Sequence, residues 1–488
     1  MIEYARHNTT WVGIALAIIG IAGALIVLPL PAALVTIGGA VAALAVLRWH
    51  ELALSAAILA VPYGSWFPLA LGVGNLTAVD LAVALLVALW LVQLLAQERR
   101  LAIRFPPLTL PFGLFLLAAL ISTLGAQSLE LAIKEMTKWI EMFAVYLYIA
   151  NTFDAAKIKR ALAVMFFAGA TQAAIGVYQF LFRWGPKGFL LFDRFIRAFG
   201  TFEQPNPFAG YLAMLAPVAL GVVISVALLA SDFKLEKLAR LDLKLGVLNF
   251  LFVALAAVAG VLMVAAIGMS WSRAGWFALG AGALVTVIVQ SRRAFVGSVL
   301  VAFVLTFVIL LSSINLIPAV IADRFSGVAD YFGVFDVRGV KVDDANFALV
   351  ERMAHWQAAA EMFAAHPLTG IGIGNYAVAY ADYALPRWDD PLGHAHNYYL
   401  NMAAETGLLG ASAYLGLWFA AFWQTWRAIR AAEGGWRSVA AGLLGMFVAL
   451  ATQSGFDNLF VHGMAVQVGV GLGLIAAIRN LPGAARPG

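Results

Sequence analysis

The chain has 488 residues, of which 63% are hydrophobic and 12% charged, about half the charged share of an average soluble domain. Mean hydropathy is +0.90, and apolar runs of about 20 residues, long enough to cross a ~30 Å hydrocarbon core, recur through most of the chain, which excludes a soluble enzyme with one anchor. There is no cysteine, so disulfides, thiolate nucleophiles, Cys-ligated zinc and iron–sulfur clusters are excluded together, and the net charge of +5 informs only through its placement.

Windows of about 19 residues predict spans at 11–29, 31–47, 52–72, 78–96, 108–124, 132–150, 161–182, 208–230, 247–267, 270–290, 295–318, 397–424, 438–452 and 460–478. Pro62 interrupts the third, Glu135, Lys138 and Glu141 make the sixth amphipathic, and the thirteenth is short, so the expected number is twelve to fourteen. All are expected to be helices, because a lipid-facing backbone satisfies its hydrogen bonds internally and no alternating barrel strands are visible. The first apolar run is a full span behind a weakly charged Met1–Arg6 and is read as a retained helix rather than a cleaved signal.

With the N-terminus inside, nineteen of the thirty-one Lys and Arg residues fall in inner segments, as the positive-inside rule requires, and both termini are expected in the cytoplasm. The other twelve are informative. Lys134, Lys138 and Arg273 lie within or at the mouth of predicted helices; Arg183, Lys187, Arg194 and Arg197 occupy an outer connection at 183–207; Arg324, Arg338, Lys341, Arg352 and Arg387 sit in a long outer segment at 319–396. Positive charge on that side either solubilises loops or meets an anionic ligand. The chain therefore divides into helices over 1–318, an outer loop at 319–396 and C-terminal helices over 397–488.

A connection of this length is functional or internally folded. Val350, Met353, Trp356, Ala360 and Phe363 recur at helical spacing, so 346–365 reads as an amphipathic helix at the outer surface. His366, Pro367 and Gly370 stop it, and Gly370, Gly372 and Gly374 are read as a flexible turn; without a βαβ unit around them they are no dinucleotide fingerprint. Tyr376, Tyr380, Tyr383, Trp388, Tyr398 and Tyr399 suit either sugar faces or a membrane interface.

The run His394-Ala-His396-Asn397 then opens the next span, followed by Glu405, Gly407 and Gly410. Ala403, Gly407 and Ala411 form a small-residue ridge suited to close helix contact. A neutral His396 at the outer mouth can accept a proton near neutral pH. His394 and His396, two apart on a helix, point to different faces, and no third ligand stands out, so no metal is expected. Glu405 lies on the opposite side of an ideal helix from His396, with Asn401 as its closer neighbour. On the same outer side, Arg197 to Asn206 ends the 183–207 connection, and Ser270-Trp-Ser-Arg273 opens a span. Arg273 at that depth either snorkels or meets an anion, and a guanidinium fork suits pyrophosphate. Asp457, in the turn between the last two spans, is expected to cap a helix.

His396-Asn397, nine residues, Gly407, two residues, Gly410 matches the H-[NSQ]-x9-G-x-x-G pattern of bacterial O-antigen ligases and resembles the wider O-antigen ligase and polymerase superfamily. The stretches around Arg197–Asn206 and Arg273 look like two further family features, so the resemblance covers roughly 190–460; fourteen spans exceed the ligases' usual twelve. The resemblance implies an all-α, GT-C-type, metal-independent inverting glycosyltransferase of the bacterial inner membrane, active on the periplasmic face. Its donor would be an undecaprenyl-pyrophosphate-linked glycan and its acceptor lipid A-core or another glycan, with no cofactor and no nucleic acid. By that analogy His396 activates the acceptor hydroxyl and Arg197 and Arg273 hold the pyrophosphate, with Asn397, Asn206, Glu405 and Asp457 as secondary candidates. A polymerase, a protein oligosaccharyltransferase, and, outside the class, a transporter or flippase are the alternatives; a transporter predicts duplicated halves and central acidic residues, neither of which is visible.

Overall fold

The computed structural model describes residues 51–64, 76–98, 103–191, 193–231, 243–290, 296, 336–343 and 346–481. The predicted spans 11–29 and 31–47 lie outside them, as does 295–318 apart from residue 296. The rest is an all-α bundle. In chain order it contains α1 (Glu51–Tyr63), α2 (Ala78–Gln93), α3 (Thr109–Ser122), α4 (Leu129–Thr152), α5 (Ala155–Phe182), α6 (Pro205–Ser231), α7 (Leu243–Ser270), α8 (Arg273–Ile288), α9 (Phe347–Ala365), α10 (Tyr398–Ala431), α11 (Gly435–Ser454) and α12 (Met464–Arg479). Among the described residues, six helices are long and apolar enough to cross a membrane, namely α2, α5, α6, α7, α10 and α11. With the shorter apolar α1, α3, α8 and α12 they make a multi-pass membrane protein.

Capping residues set the helix starts. Thr77 and Asp80 form a reciprocal capping box on α2, Asp154 accepts from Lys157 N on α5, and Ser272 caps α8. Helices α6, α8 and α11 form the tightest part of the bundle. There Gly282 and Gly445 meet so closely that a Cβ on the first would lie 2.6 Å from the carbonyl oxygen of the second; without a hydrophobic force between helices in lipid, such backbone proximity is what holds them. Helix α12 packs on α4, and α10 on α3.

The surface helix expected at 346–365 forms as α9, but its stripe is rotated. Val350, Met353, Ala354, His355, Ala358, Ala359 and Met362 are buried, whereas Ala360 is exposed. The alanine ridge lets α9 lie close on α10, and small residues carry too little hydrophobicity to announce that face.

The glycine turn is a folded strap. Gly370, Gly372 and Gly374 have φ of 71°, 103° and 74°, and the segment lies across a break in α10. Gly407 there has φ 61° and ψ −165°. The helix hydrogen bonds lost at the break are replaced by strap carbonyls: Leu408 N donates to Pro367 O at 2.8 Å and Leu409 N to Leu368 O at 3.2 Å. In return Ile371 N donates to Ala404 O at 3.1 Å and Gly372 N to Glu405 O at 2.9 Å. A Cβ at Gly407 would strike the Leu368 carbonyl and one at Gly370 the Glu405 backbone, so Gly407 serves the strap as well as helix packing. Gly407→Val combines a left-handed φ with a backbone clash; a loss of at least 3 kcal/mol is expected, read as a lowered melting temperature of the purified chain in detergent.

Candidate functional site

One end of the bundle gathers the predicted residues from four connections and the helix ends beside them. Between α5 and α6 a two-stranded hairpin, β1 (Leu190–Leu191) with β2 (Phe195–Ile196), leads into Arg197. The turn that follows is fastened by two buried glutamines of α5. Gln179 accepts from Phe199 N at 3.0 Å and Gly200 N at 2.7 Å, and Gln172 accepts from Thr201 N at 3.1 Å. Arg197 Nε donates to Ser270 O at 2.9 Å, and Ala198 N donates to Met269 O at 3.0 Å. Arg197 is thus tied to the Ser270–Arg273 turn, and Arg273 is the first residue of α8. Arg197 from one connection and Arg273 at the N-terminus of α8 are brought to neighbouring backbone, a combination suited to an anion.

Asn206, in the first turn of α6, joins this turn to the last two helices. Ser272 Oγ donates to Asn206 Oδ1 at 2.8 Å, Gln453 Nε2 donates to Asn206 O at 3.0 Å, and Asp457 N donates to Gln453 O at 2.9 Å. Asp457 does not cap a helix, contrary to the sequence expectation: α11 has ended at Ser454 and Gly463 is the N-cap of α12. Its carboxylate instead faces two imidazoles. His394 Nε2 lies 3.5 Å and His396 Nδ1 3.6 Å from Asp457 Oδ1.

Neither histidine is on a helix. Asn397 is the N-cap of α10, accepting from Tyr399 N at 3.1 Å and Leu400 N at 3.2 Å, so the chain before it is a non-helical bend, which brings the two ring centroids to 4.4 Å. The expectation that they point to different faces with no third ligand is corrected: Asp457 is the third group. His396 itself has φ 51°, a conformation rare for a side chain with a Cβ and typical of functional positions. Its Nδ1 is buried without a partner at hydrogen-bonding distance among the described residues.

Glu405 is directed at the strap. Its carboxylate accepts from Gly374 N at 2.9 Å and Tyr376 N at 3.0 Å, and Asn375 carries the strap on to α4 through Ser128 N at 2.7 Å. Glu405 therefore fixes the segment that packs behind the histidines. Of the aromatic cluster, Tyr376, Tyr380 and Tyr398 are fully buried and are core residues rather than sugar platforms.

Sequence reasoning missed His355. It is 1% exposed, stacks on Tyr380 at 4.7 Å, and lies edge-on to His396 at 5.7 Å. It was hidden by the misplaced α9 stripe. Gln172, Gln179 and Gln453 were also passed over, although an amide inside an apolar span is itself a signal of a buried polar link.

Burial alone would raise the Asp457 carboxyl, but the facing His396, with His394 and Arg352 nearby, outweighs it and holds the group down to about 2. Burial lowers His394 to about 4 against the attraction of Asp457, and burial with the neighbouring His396 and His394 lowers His355 to about 4. At neutral pH the cluster thus holds a charged Asp457 beside a neutral His394 and a neutral His355. A carboxylate facing His396 Nδ1 favours the tautomer protonated there, which leaves the Nε2 lone pair to accept a proton.

The depressed histidines give stability a direction. Between about 6.5 and about 4 the unfolded chain binds protons that His355 and His394 refuse, so stability falls as pH drops through that window, on the order of 3 kcal/mol for fully buried His355. Thermal melts at about pH 7 and about pH 5 check this: His355→Phe is expected to narrow the difference. A difference unchanged in that variant would contradict it.

Residues 258–415 match the family model described as O-Antigen ligase. That stretch contains Arg273, the strap, His396, Asn397, Glu405, Gly407 and Gly410, whereas Arg197, Asn206 and Asp457 lie beyond it. No curated protein matches the chain. A chain from a solved structure titled "Structural coordination of polymerization and crosslinking by a peptidoglycan synthase complex" aligns over 78% of this chain and 98% of its own, at 16% identity and a TM-score of 0.41. At that distance it adds nothing to the reading of fold or function.

Proposed function

We propose that the chain is an inverting glycosyltransferase of GT-C type that moves a glycan from undecaprenyl pyrophosphate to an acceptor hydroxyl, a reading supported by the match of residues 258–415 to the O-antigen ligase family model. The observation that carries this reading is the His396–Asp457 pair, joined through Gln453, Asn206 and Ser272 to the turn that bears Arg273 and holds Arg197 through Ser270 O. A base and a cationic anion site are thus linked by hydrogen bonds among four connections at one end of a lipid-embedded bundle.

In the proposed reaction His396 Nε2 takes the proton of the acceptor hydroxyl while its oxygen attacks the anomeric carbon. The bond from that carbon to the pyrophosphate oxygen breaks, and Arg197, Arg273 and the N-terminus of α8 hold the charge that develops on the leaving group. A single displacement inverts the anomeric centre. Asp457 fixes the His396 tautomer and balances the imidazolium while it lasts, and the proton then passes to the departing pyrophosphate or to solvent. Every charge this chemistry needs comes from side chains, so it runs without a metal ion.

The site end is assigned to the periplasmic side of the bacterial inner membrane, with both termini cytoplasmic, on the Lys and Arg distribution. The acceptor decides between reaction types. With lipid A-core the enzyme is a ligase, the reading proposed first; with a second lipid-linked glycan it is a polymerase; with a protein hydroxyl it is an oligosaccharyltransferase. Supplying the three acceptors separately to the purified chain with one donor tests this, and transfer only to lipid A-core is expected. Chain extension of the donor glycan alone would replace ligase by polymerase.

A further inference from the structure

His394, His396 and Asp457 offer three donor atoms that lie within 4.8 Å of one another. The two imidazole-to-carboxylate separations, 3.5 and 3.6 Å, are long for hydrogen bonds. They are close to the ~3.3 Å that separates two ligand atoms bound ~2.05 Å from one tetrahedral zinc ion. Asp457 is 8% exposed, and the two imidazoles are 18% and 19% exposed, so the donors are largely screened from water yet reachable. We propose that these three residues form a binding site for a borderline transition ion, Zn2+ foremost, which blocks the transfer reaction when occupied.

The donor set selects the ion. Two imidazole nitrogens and one carboxylate suit zinc and its neighbours and disfavour Mg2+ and Ca2+, which take oxygen ligands. Three protein ligands leave one tetrahedral position for water. Binding has one identifiable cost. His394 Nδ1 accepts from His396 N at 3.0 Å, and ligation through His394 Nε2 places the ring proton on Nδ1, which gives up that bond. Three metal–ligand bonds outweigh one neutral hydrogen bond.

The blocking effect follows from the tautomer. A zinc ion on His396 Nδ1 leaves the remaining ring proton on Nε2, so the ring has no lone pair for the acceptor hydroxyl. This consequence rests on the transferase reading, whereas the binding of the ion does not.

The experiment titrates Co2+ into the purified, tag-free full chain in detergent, followed by displacement with Zn2+. Intense visible d–d bands of a four- or five-coordinate cobalt site are expected at one equivalent, lost in His394→Ala and Asp457→Asn and retained in His366→Ala, whose histidine is exposed at the end of α9. Wild type without such bands, or with bands that survive both His394→Ala and Asp457→Asn, overturns the site. Size-exclusion profiles matching wild type show that a variant's loss is not misfolding, and His394→Gln serves where His394→Ala fails that check. In the transfer assay Zn2+ is expected to slow wild type at least ten-fold, with EDTA restoring it. Tight binding with undiminished transfer overturns the blocking role, and an absence of transfer even in EDTA counts against the transferase reading while the cobalt spectrum still decides the site.

Discussion

Replacement of His396 by Ala is expected to lower transfer by 10²- to 10⁴-fold, the usual contribution of a positioned general base, with little change in melting temperature. The ring is only partly buried and its Nδ1 makes no ordinary hydrogen bond, so its removal opens no large cavity. Asp457→Asn separates orientation from basicity. The amide keeps the shape but loses the charge that favours a proton on Nδ1, so transfer should fall while the melting temperature changes little. Equal activity in wild type and His396→Ala would remove the base from the account.

Replacement of Arg197 or Arg273 by Ala is expected to cost 10²- to 10³-fold in kcat, as loss of one preorganised stabiliser of developing charge does elsewhere, about 3 to 4 kcal/mol. Lys at either position should rescue poorly. A guanidinium binds two oxygens through a planar fork, and an ammonium on a flexible stem does not. Arg197→Lys also loses the Nε contact to Ser270 O, which ties the hairpin to the α8 turn, so it should be the worse of the two Lys variants. Steady-state transfer at saturating acceptor, with donor varied, distinguishes loss of donor binding from loss of leaving-group stabilisation. Near-normal kcat in both Ala variants would exclude the pyrophosphate role.

The helices were legible in the sequence because lipid demands long apolar runs with satisfied backbones, and α5, α6, α7, α10 and α11 all lie where those runs do. What the sequence hid depends on backbone geometry rather than composition. Gly407 reads as part of a packing ridge, yet its positive φ opens a gap in α10 that the 367–376 strap fills. Asp457 reads as a cap, because nothing in a linear turn announces that it faces a histidine sixty-one positions earlier. His394 and His396 read as helical until Asn397 is seen to start the helix. His355 lay on a face of small residues, where hydrophobic periodicity is weakest. Arg197 and Arg273 stood out by charge on the wrong side of a topological rule, but the link between their two connections through Ser270 O depends on Gln172 and Gln179 holding the turn after the hairpin, a long-range link no local pattern contains.

The most direct test of the central claim is transfer by the purified chain from a polyprenyl-pyrophosphate-linked glycan to candidate acceptors in EDTA, with His396→Ala run in parallel. The account predicts an inverted glycosidic product from wild type and none above background from the variant. Intact donor carried across liposomes, with no glycosidic product from either protein, would contradict it and put a transporter in its place.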